Sequence, residues 1–427
     1  MASSIIDLTT FDAALRLHFT GDAIKTQVYK NHPLLAVLAK MESFGGRDDL
    51  EIPIIYGTPR GRSASLAAAK EGKHASEMDN FHLTRAANYS YIELDSLTLA
   101  AADVKNDSWM TARQFEIDAM LMSVSRDVSS DLFRNGFGVR GRILTIDAGA
   151  ANLITLETPS DIVNFERGDR IILTATDATP GAGALRDSGA DVEIATIDRD
   201  AGSFTYTGTD IALAAATDYI HIRGDRGSAA TRRKLVGLDG WLPATAPTAG
   251  DSFFGVDRSV DATRLAGHRV TGTASTVMEA LIDAGARLFR EGGKPDLVVM
   301  NPVHAAELAK ELMSHAVYEP VKSENGVVSF DGLVVRTPGG KVRVLEDPSC
   351  PAGVAYMLQS DVWKMYSLGP VPHLVDEDGK ISQRLQPSAY TTSLAVRDGD
   401  GVEIRGRAFS NLGCRAPGWN ARISLAT

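Results

Sequence analysis

The residues able to do chemistry are sparse in this chain, and their spacing argues against catalysis. Gly339-Gly340-Lys341 and Gly292-Gly293-Lys294 resemble fragments of a phosphate-binding loop, but neither lysine is followed by the Ser or Thr such a loop requires, so both read as turns. There is no G-x-S-x-G elbow, no H-E-x-x-H and no C-x-x-C. The nine histidines are scattered. His304 and His315 share a predicted helix but lack the i, i+4 spacing that puts two imidazoles on one face. Asp376–Gly379 and Asp398–Gly401 have the carboxylate density of calcium loops without the glutamate spacing of an EF-hand, and read as hairpin turns. Arg-Gly-Asp at Arg167–Asp169 and Arg223–Asp225 reads as a turn before an apolar strand. Asn88-Tyr-Ser90 and Asn106-Asp-Ser108 match glycosylation sequons that matter only in a secreted chain. No catalytic residue, cofactor or metal is expected.

Composition narrows the class further. With 427 residues the chain is too long for one ordinary core, and 44% apolar with 23% charged residues is the make-up of a folded protein. A net charge of -10 argues against nucleic-acid recognition as the main task, although a surface that merely encloses nucleic acid remains compatible. Two cysteines, Cys350 and Cys414, fit a reducing compartment. Neither a signal peptide nor an apolar run of about 20 residues is present, so a cytoplasmic protein with no membrane partner is expected.

The cations that stand out are Arg60, Arg62, Lys70 and Lys73, grouped on an otherwise acidic chain. They fall at the tip of a hairpin arm over about Glu51–Leu94. Glu51–Tyr56 is the outgoing strand and Phe81–Leu94 the return, with Phe81, Leu83, Tyr89 and Tyr91 sharing one parity. Isolated two-stranded hairpins are marginal in water, so the arm is expected to lie on another surface. Opposite-charge attraction fixes register in assemblies, so the four cations are expected to make inter-subunit contacts, docking on an acidic surface of an adjacent copy.

Around the arm the elements follow a definite order. A short helix opens at Asn31-His32-Pro33, with Leu34, Leu35, Val37, Leu38 and Met41 on its apolar side, and ends at Gly45-Gly46. Ser108 is placed to cap a long amphipathic helix over Trp109–Asn135, roughly 40 Å in length. The period then changes to alternation, with candidate strands at Arg142–Asp147, Asn152–Glu157, Asp169–Ala175, Asp191–Ile197, Ser203–Thr207 and Tyr219–Arg223. These form a small β-barrel or sandwich. This stretch, Arg140–Gly224, contains no lysine and has more Asp and Glu than Arg. Beyond it, Thr276-Val-Met-Glu279 has capping-box spacing for a helix. Asp296–Met300 reads as a buried strand, and Asn301-Pro302 opens another helix through about His315. Strands follow at Val342–Leu345, Val354–Gln359, Val362–Ser367, Thr391–Arg397 and Val402–Phe409.

This order of parts resembles the major capsid proteins of tailed double-stranded DNA bacteriophages, the Hong Kong 97 type fold. Gly237-Leu-Asp-Gly-Trp-Leu-Pro243 is similar to the family's passage into its axial domain. The run Asp296–Pro302, helix, Val342–Asp347, Pro351-Ala-Gly353 and Tyr356–Asp361 is similar to the axial domain itself. The resemblance implies an α+β fold divided into an N-terminal arm (1–50), an extended hairpin loop (51–98) and a peripheral domain with a spine helix (99–139). An inserted β-barrel domain (140–226), an axial domain (227–380) and return strands of the peripheral domain (381–427) complete it. It implies a structural protein, not an enzyme, self-assembling into pentamers and hexamers of an icosahedral shell around double-stranded DNA. Further implications are a separate scaffolding protein, a portal protein, assembly in the host bacterial cytoplasm and a final place in the virion capsid. A decoration protein is left open as a partner. Part of the family crosslinks a loop lysine to a peripheral-domain asparagine, roles that would fall to Lys70 or Lys73 with Asn411 or Asn420. The acidic barrel surface suits the outside of the shell. Two rivals stand beside this reading: a cargo-enclosing nanocompartment shell, and an enzyme with an inserted β-domain.

Overall fold

The computed structural model describes residues 32–42, 44, 50–95, 112–147, 152–177, 185–208, 211, 213–227, 231–313, 334–369, 373–374, 382–384 and 401–426. The first 31 residues, the cap expected at Ser108, His315, the turn at Asp376–Gly379 and the strand expected over Thr391–Arg397 lie outside them.

In chain order, helix α1 (Pro33–Val37) and strand β1 (Ala39–Met41) precede a hairpin of β2 (Leu50–Gly57) and β3 (Glu77–Leu83), between which lies α2 (Leu66–Glu71). Strand β4 (Ala86–Asp95) and helix α3 (Ala112–Asp131) follow. Six strands come next: β5 (Val139–Asp147), β6 (Leu153–Leu156), β7 (Arg170–Thr174), β8 (Val192–Asp198), β9 (Ser203–Thr207) and β10 (Tyr219–Ile222). Then come α4 (Leu238–Trp241), the short pair β11 (Ser252–Phe253) and β12 (Val256–Asp257), β13 (His268–Thr271), α5 (Val277–Arg290), β14 (Leu297–Met300) and α6 (Pro302–Met313). The last strands are β15 (Val334–Thr337), β16 (Gly340–Glu346), β17 (Val354–Leu358), β18 (Trp363–Ser367), β19 (His373–Leu374), β20 (Ser382–Arg384), β21 (Gly401–Cys414) and β22 (Ala421–Ser424).

The chain divides into two compact units, one of residues 1–31, 87–128 and 368–409, the other of residues 32–86, 129–367 and 410–427. In the first, β4, β19 and β20 pair with β21, and the alternation along β21 buries Ile404 and Ala408 while exposing Arg405. Met120, Val124 and Val128 give α3 its buried side. Tyr89 stacks edge-on against Phe409 at 5.6 Å, on the outer face.

The second unit is built on a mixed six-stranded sheet of order β13-β22-β17-β14-β16-β15. Strand β14 is buried at all four positions, as a central strand covered on both faces must be. Helix α5 starts where the capping-box spacing put it: Thr276 Oγ1 accepts from Glu279 N and Glu279 returns the bond to Thr276 N. Its Val277, Ala280, Leu281, Ala284 and Leu288 pack on the sheet. The carboxylate of Glu311 accepts from Val277 N and Met278 N, placing an anion on the positive end of α5. The C-terminal segment is shared between sheets: Ala421–Ser424 pairs with both β13 and β17, whereas Ser410–Cys414 pairs with β18.

The six strands of 139–222 close into a barrel of order β10-β5-β6-β9-β8-β7. Each lies within a few residues of its sequence-based position. Ile143, Ile154, Leu156, Phe165, Leu173, Ile194, Phe204 and Ile220 fill it. A neck of four charged groups, three buried and Asp225 partly exposed, holds it. Asp131, at the end of α3, meets Arg140 at 3.2 Å and Lys234 at 3.6 Å; Asp225 meets Lys234 at 3.1 Å and Arg140 at 3.6 Å. Gly138 turns the chain into the barrel at φ +81°, and a Cβ there would lie 2.4 Å from the Asp225 carbonyl oxygen, so only glycine fits.

Three local expectations are revised. The helix from Pro33 stops at Val37, because Leu38 is extended and Ala39–Met41 pairs in parallel with Lys364–Tyr366. The long helix ends at Asp131, not Asn135. Gly237 N and Leu238 N take the carbonyls of Arg134 and Leu132 at 2.8 and 2.7 Å, so the chain bends to meet them. The single return strand is two strands. Phe81 and Leu83 are buried on one parity, but beyond Thr84-Arg85 the buried residues are Ala86 and Ile92, while Tyr89 and Tyr91 are exposed.

Three expected outcomes follow from this packing. Arg140→Met leaves the buried Asp131 and the partly exposed Asp225 sharing one cation and is expected to cost about 3 kcal/mol of unfolding free energy by urea titration. Glu157→Gln, which breaks the exposed pair with Arg142, is expected to cost less than about 1 kcal/mol. In β10, burial pulls the His221 imidazole from its ordinary 6.5 down to about 4, with the charge of Arg226 acting the same way. The unfolded chain therefore takes up this proton first, so stability falls as pH drops from 6.5 to 4, by up to about 3 kcal/mol. His221→Gln is expected to flatten that part of the stability-versus-pH curve.

Candidate assembly interface

The arm is rooted in an aromatic cluster. Phe81 of β3 packs edge-on against Trp241 at 5.0 Å and Phe253 at 6.2 Å, and Trp241 also meets Trp363 at 6.3 Å. All four rings are fully buried. Trp241 Nε1 donates to the Leu412 carbonyl at 2.9 Å, and Arg258, 4.0 Å above Phe253, donates to the Gly240 carbonyl. Asn411 completes the anchorage: its Oδ1 accepts from Val236 N and its Nδ2 donates to the Thr84 carbonyl at 2.7 Å. Thus the alternation that puts Phe81 and Leu83 inward also fixes where the hairpin leaves the body.

Outward from this root the character of the hairpin changes. Near the base its outer face is polar, with Glu51 opposite His82 at 3.8 Å and Asn80 donating to Glu51. One step beyond Pro53, Ile55 and Met78 face each other across the strands, 67% and 66% exposed. At the tip Ser65 caps α2 through Ala68 N, yet α2 buries none of its residues and Leu66 is 72% exposed. Ile55, Leu66 and Met78 are thus apolar side chains that the folded hairpin leaves in water.

The four cations singled out from the sequence all lie on this tip and all are exposed. Arg60 and His74 are joined by two backbone hydrogen bonds, bringing the strand ends together, and the Gly61 backbone lies against Lys73. Lys70 is in the last turn of α2. The structure therefore brings Arg60 and Lys73 close together at the tip, with Lys70 on α2 and Arg62 exposed in the same excursion. Sequence reading found the cations but missed Ile55 and Met78. The available signal was Ile55 itself, an apolar residue at the parity of Glu51 and Pro53.

Alongside the outer end of β2, residues 54–58 and Arg264, Glu291, Arg415 and Trp419 line a groove of about 250 Å³. Arg264 donates to the Tyr56 carbonyl at 2.6 Å. Burial and the carboxylates of Glu77, Asp79 and Asp261 hold the Tyr56 phenol above its usual range, which does not make an acid or base for neutral pH.

The other chemistry-bearing residues serve the fold. His304 Nε2 accepts from Gly353 N at 2.8 Å, so Nδ1 carries the proton toward Glu307. Cys350 and Cys414 are buried free thiols, each pushed up by burial and unsuited to act as a nucleophile. Asp225, read as a turn residue, also pairs with Lys234 in the charged neck. Asn411 and Asn420, the positions considered for a crosslink, are buried; Asn420 Oδ1 accepts from Trp363 Nε1 and Gln359 N. Among the described residues no group of three or more His, Cys, Asp or Glu is placed to hold a metal ion, and no helix is long and apolar enough to cross a membrane.

Residues 207–382 match the family described as SU10 major capsid protein. No curated protein sequence matches the chain. Among solved structures, the chain is similar to the cyanophage A-1(L) capsid asymmetric unit, with 11% identity, 95% of each chain covered and a TM-score of 0.51. It is also similar to the capsid of a native GTA particle, at 10% identity, 96% and 95% coverage and a TM-score of 0.47. A third likeness is to the holo-SrpI encapsulin complex from Synechococcus elongatus PCC 7942, at 7% identity, 99% and 96% coverage and a TM-score of 0.44. Of these three, the cyanophage likeness is close enough to show a shared fold. Residues 207–382 therefore match a major capsid protein family, and the chain as a whole has the fold of a phage capsid subunit.

Proposed function

We propose that copies of this chain assemble into pentamers and hexamers that close around double-stranded DNA, each copy reaching over a neighbour with the 51–98 hairpin loop. The observation that carries this reading is the hairpin itself. It is anchored at Phe81 and Leu83, yet leaves Ile55, Leu66, Met78 and four cations in solvent. One subunit cannot cover that surface, and repetition of a modest contact over a closed shell makes it strong.

In this reading residues 1–50 are an N-terminal arm, 99–139 and the strand Gly401–Cys414 make the peripheral domain with its spine helix α3, and 140–226 is an inserted barrel. The axial domain is 227–380, and the pairing of β22 with β13 and β17 supports adding Ala421–Ser424 to it. The role is structural, with no reaction to catalyse. A separate scaffolding protein and a portal protein are its partners during assembly in the host cytoplasm, and a decoration protein is a candidate to bind the finished shell. The buried, hydrogen-bonded state of Asn411 and Asn420 supports a shell held without a crosslink to either.

Electron microscopy of the purified protein, alone and co-expressed with its neighbouring genes, tests this directly. Closed shells or uniform capsomer rings are expected; monomers or dimers under every condition overturn it, and DNA-free shells filled with one protein favour the nanocompartment. A fourfold charge reversal, R60E/R62E/K70E/K73E, is expected to leave the melting temperature of free subunits nearly unchanged, because exposed sites contribute within about 0.5 kcal/mol each. Sedimentation of the same variant is expected to show loss of assembly.

A further inference from the structure

Between the barrel neck and the root of the hairpin, two arginines share one carboxylate. Arg258 is buried and fully engaged: it lies 4.0 Å over the Phe253 ring, donates to the Gly240 carbonyl and pairs with Asp251 at 3.0 Å. Arg232 sits among the rings of the same cluster, its guanidinium 4.9 Å from Phe253, 5.0 Å from Phe137 and 6.0 Å from Phe254. A ring face attracts the charge but is a weak acceptor for N–H donors. Among the described residues no carboxylate or carbonyl accepts from the Arg232 guanidinium, and its Nε is buried without an acceptor. Burial and the charge of Arg258 pull this arginine from its ordinary 12.5 down to about 10, with Asp251 acting against them. It stays charged at neutral pH, so the cluster sets two cations against one carboxylate.

The surroundings are shaped for this side chain. Arg232 stands between the exposed Thr231 and Arg233 and is itself partly exposed, so its guanidinium is held near the surface. A Cβ at Gly136, where φ is +86°, would lie 3.2 Å from Arg232 Cδ, so glycine leaves room for the arginine stem. Phe254 has φ +49°, a left-handed conformation that bulky side chains rarely take. With Gly255 it forms the turn between β11 and β12, a place whose backbone Asn-Gly would suit better. The strained turn keeps a third ring beside Arg232, and strain of this kind gathers at ligand sites. We propose that Arg232 is the binding residue of an oxyanion site, taking a phosphate or carboxylate group through Nη1 and Nη2 while Phe137, Phe253 and Phe254 hold it in place. A guanidinium already fixed by its neighbours loses little freedom on binding, and its planar donors suit paired oxygens. The anion supplies the second negative charge beside Arg258 and tightens the joint between neck and hairpin root.

Melting of the purified full-length protein in sodium phosphate, sodium acetate and sodium chloride at equal ionic strength tests it. Phosphate or acetate is expected to give a saturable rise of about 2 °C over chloride at roughly ten times its dissociation constant, and whichever does so names the ligand class. R232Q is expected to lose the saturable rise. No saturable rise in either salt overturns the proposal, as does a rise of the same size in R232Q, which is the mark of general salt exclusion from the surface. Should R232Q fail to fold, R232K keeps the charge without the planar fork and is expected to bind at least about fivefold more weakly by isothermal titration; unchanged affinity overturns the site. An independent reading is nuclear magnetic resonance of parental protein isotope-labelled at arginine. Titrating inorganic phosphate or acetate is expected to shift the Nε–H signal that the variant lacks, and shifts confined to other arginines overturn the proposal.

Discussion

The charged neck of Asp131, Arg140, Asp225 and Lys234, closed to water on all but Asp225, is the constraint on which the larger unit depends. The chain passes from α3 into the barrel and back through one narrow place, and each crossing carries a charge. Two carboxylates and two cations interlock there, so that no member is left with a bare buried charge. Around them, Arg134 meets Asp161 at 2.8 Å, and Asn164, bonded to Ser130, donates to the Arg140 carbonyl at 3.1 Å. The barrel joins the rest of its unit through two non-helical, non-strand connections, 132–138 and 223–237. The polar neck gives it one orientation, a use of buried charge that an apolar joint lacks the directionality to match.

From the neck the order continues to the root of the arm. Arg232 lies 5.0 Å over Phe137 and 4.9 Å over Phe253, and Phe253 packs on Trp241, which packs on Phe81 of β3. A guanidinium between aromatic rings gains from their negative faces where water is excluded. The same cluster that ends the barrel linkage therefore fixes the place where the hairpin departs. Barrel and arm are held by one continuous set of contacts in the same unit.

Beyond its root the hairpin trades internal stability for reach. Two strands and six helical residues bury little, and Ile55, Leu66 and Met78 gain nothing from folding of the isolated chain. Its exposed surface is what the proposed contact between copies would cover. Elsewhere the groups able to do chemistry, His304, Cys350 and Cys414 among them, are buried and committed to packing or hydrogen bonds.

The sequence alone determined what depends on neighbours within a turn or a hairpin. The six barrel strands follow from alternation between turn residues, helix α5 from its capping box and apolar spacing, and the basic tip from four cations on an acidic chain. Tertiary structure decided what depends on partners far along the chain. Thr84-Arg85 interrupts the return strand because Asn411 holds the Thr84 carbonyl, and this flips the buried parity before Tyr89 and Tyr91. Asp347, 313 residues from Leu34, accepts its backbone N–H at the start of the chain's first described helix. Strand β22 enters the central sheet, and Asp225 the neck, with no local sign of either destination. Periodicity and caps are set by local geometry, whereas strand partners and buried charge pairs are set by which distant groups can satisfy one another once water has been excluded.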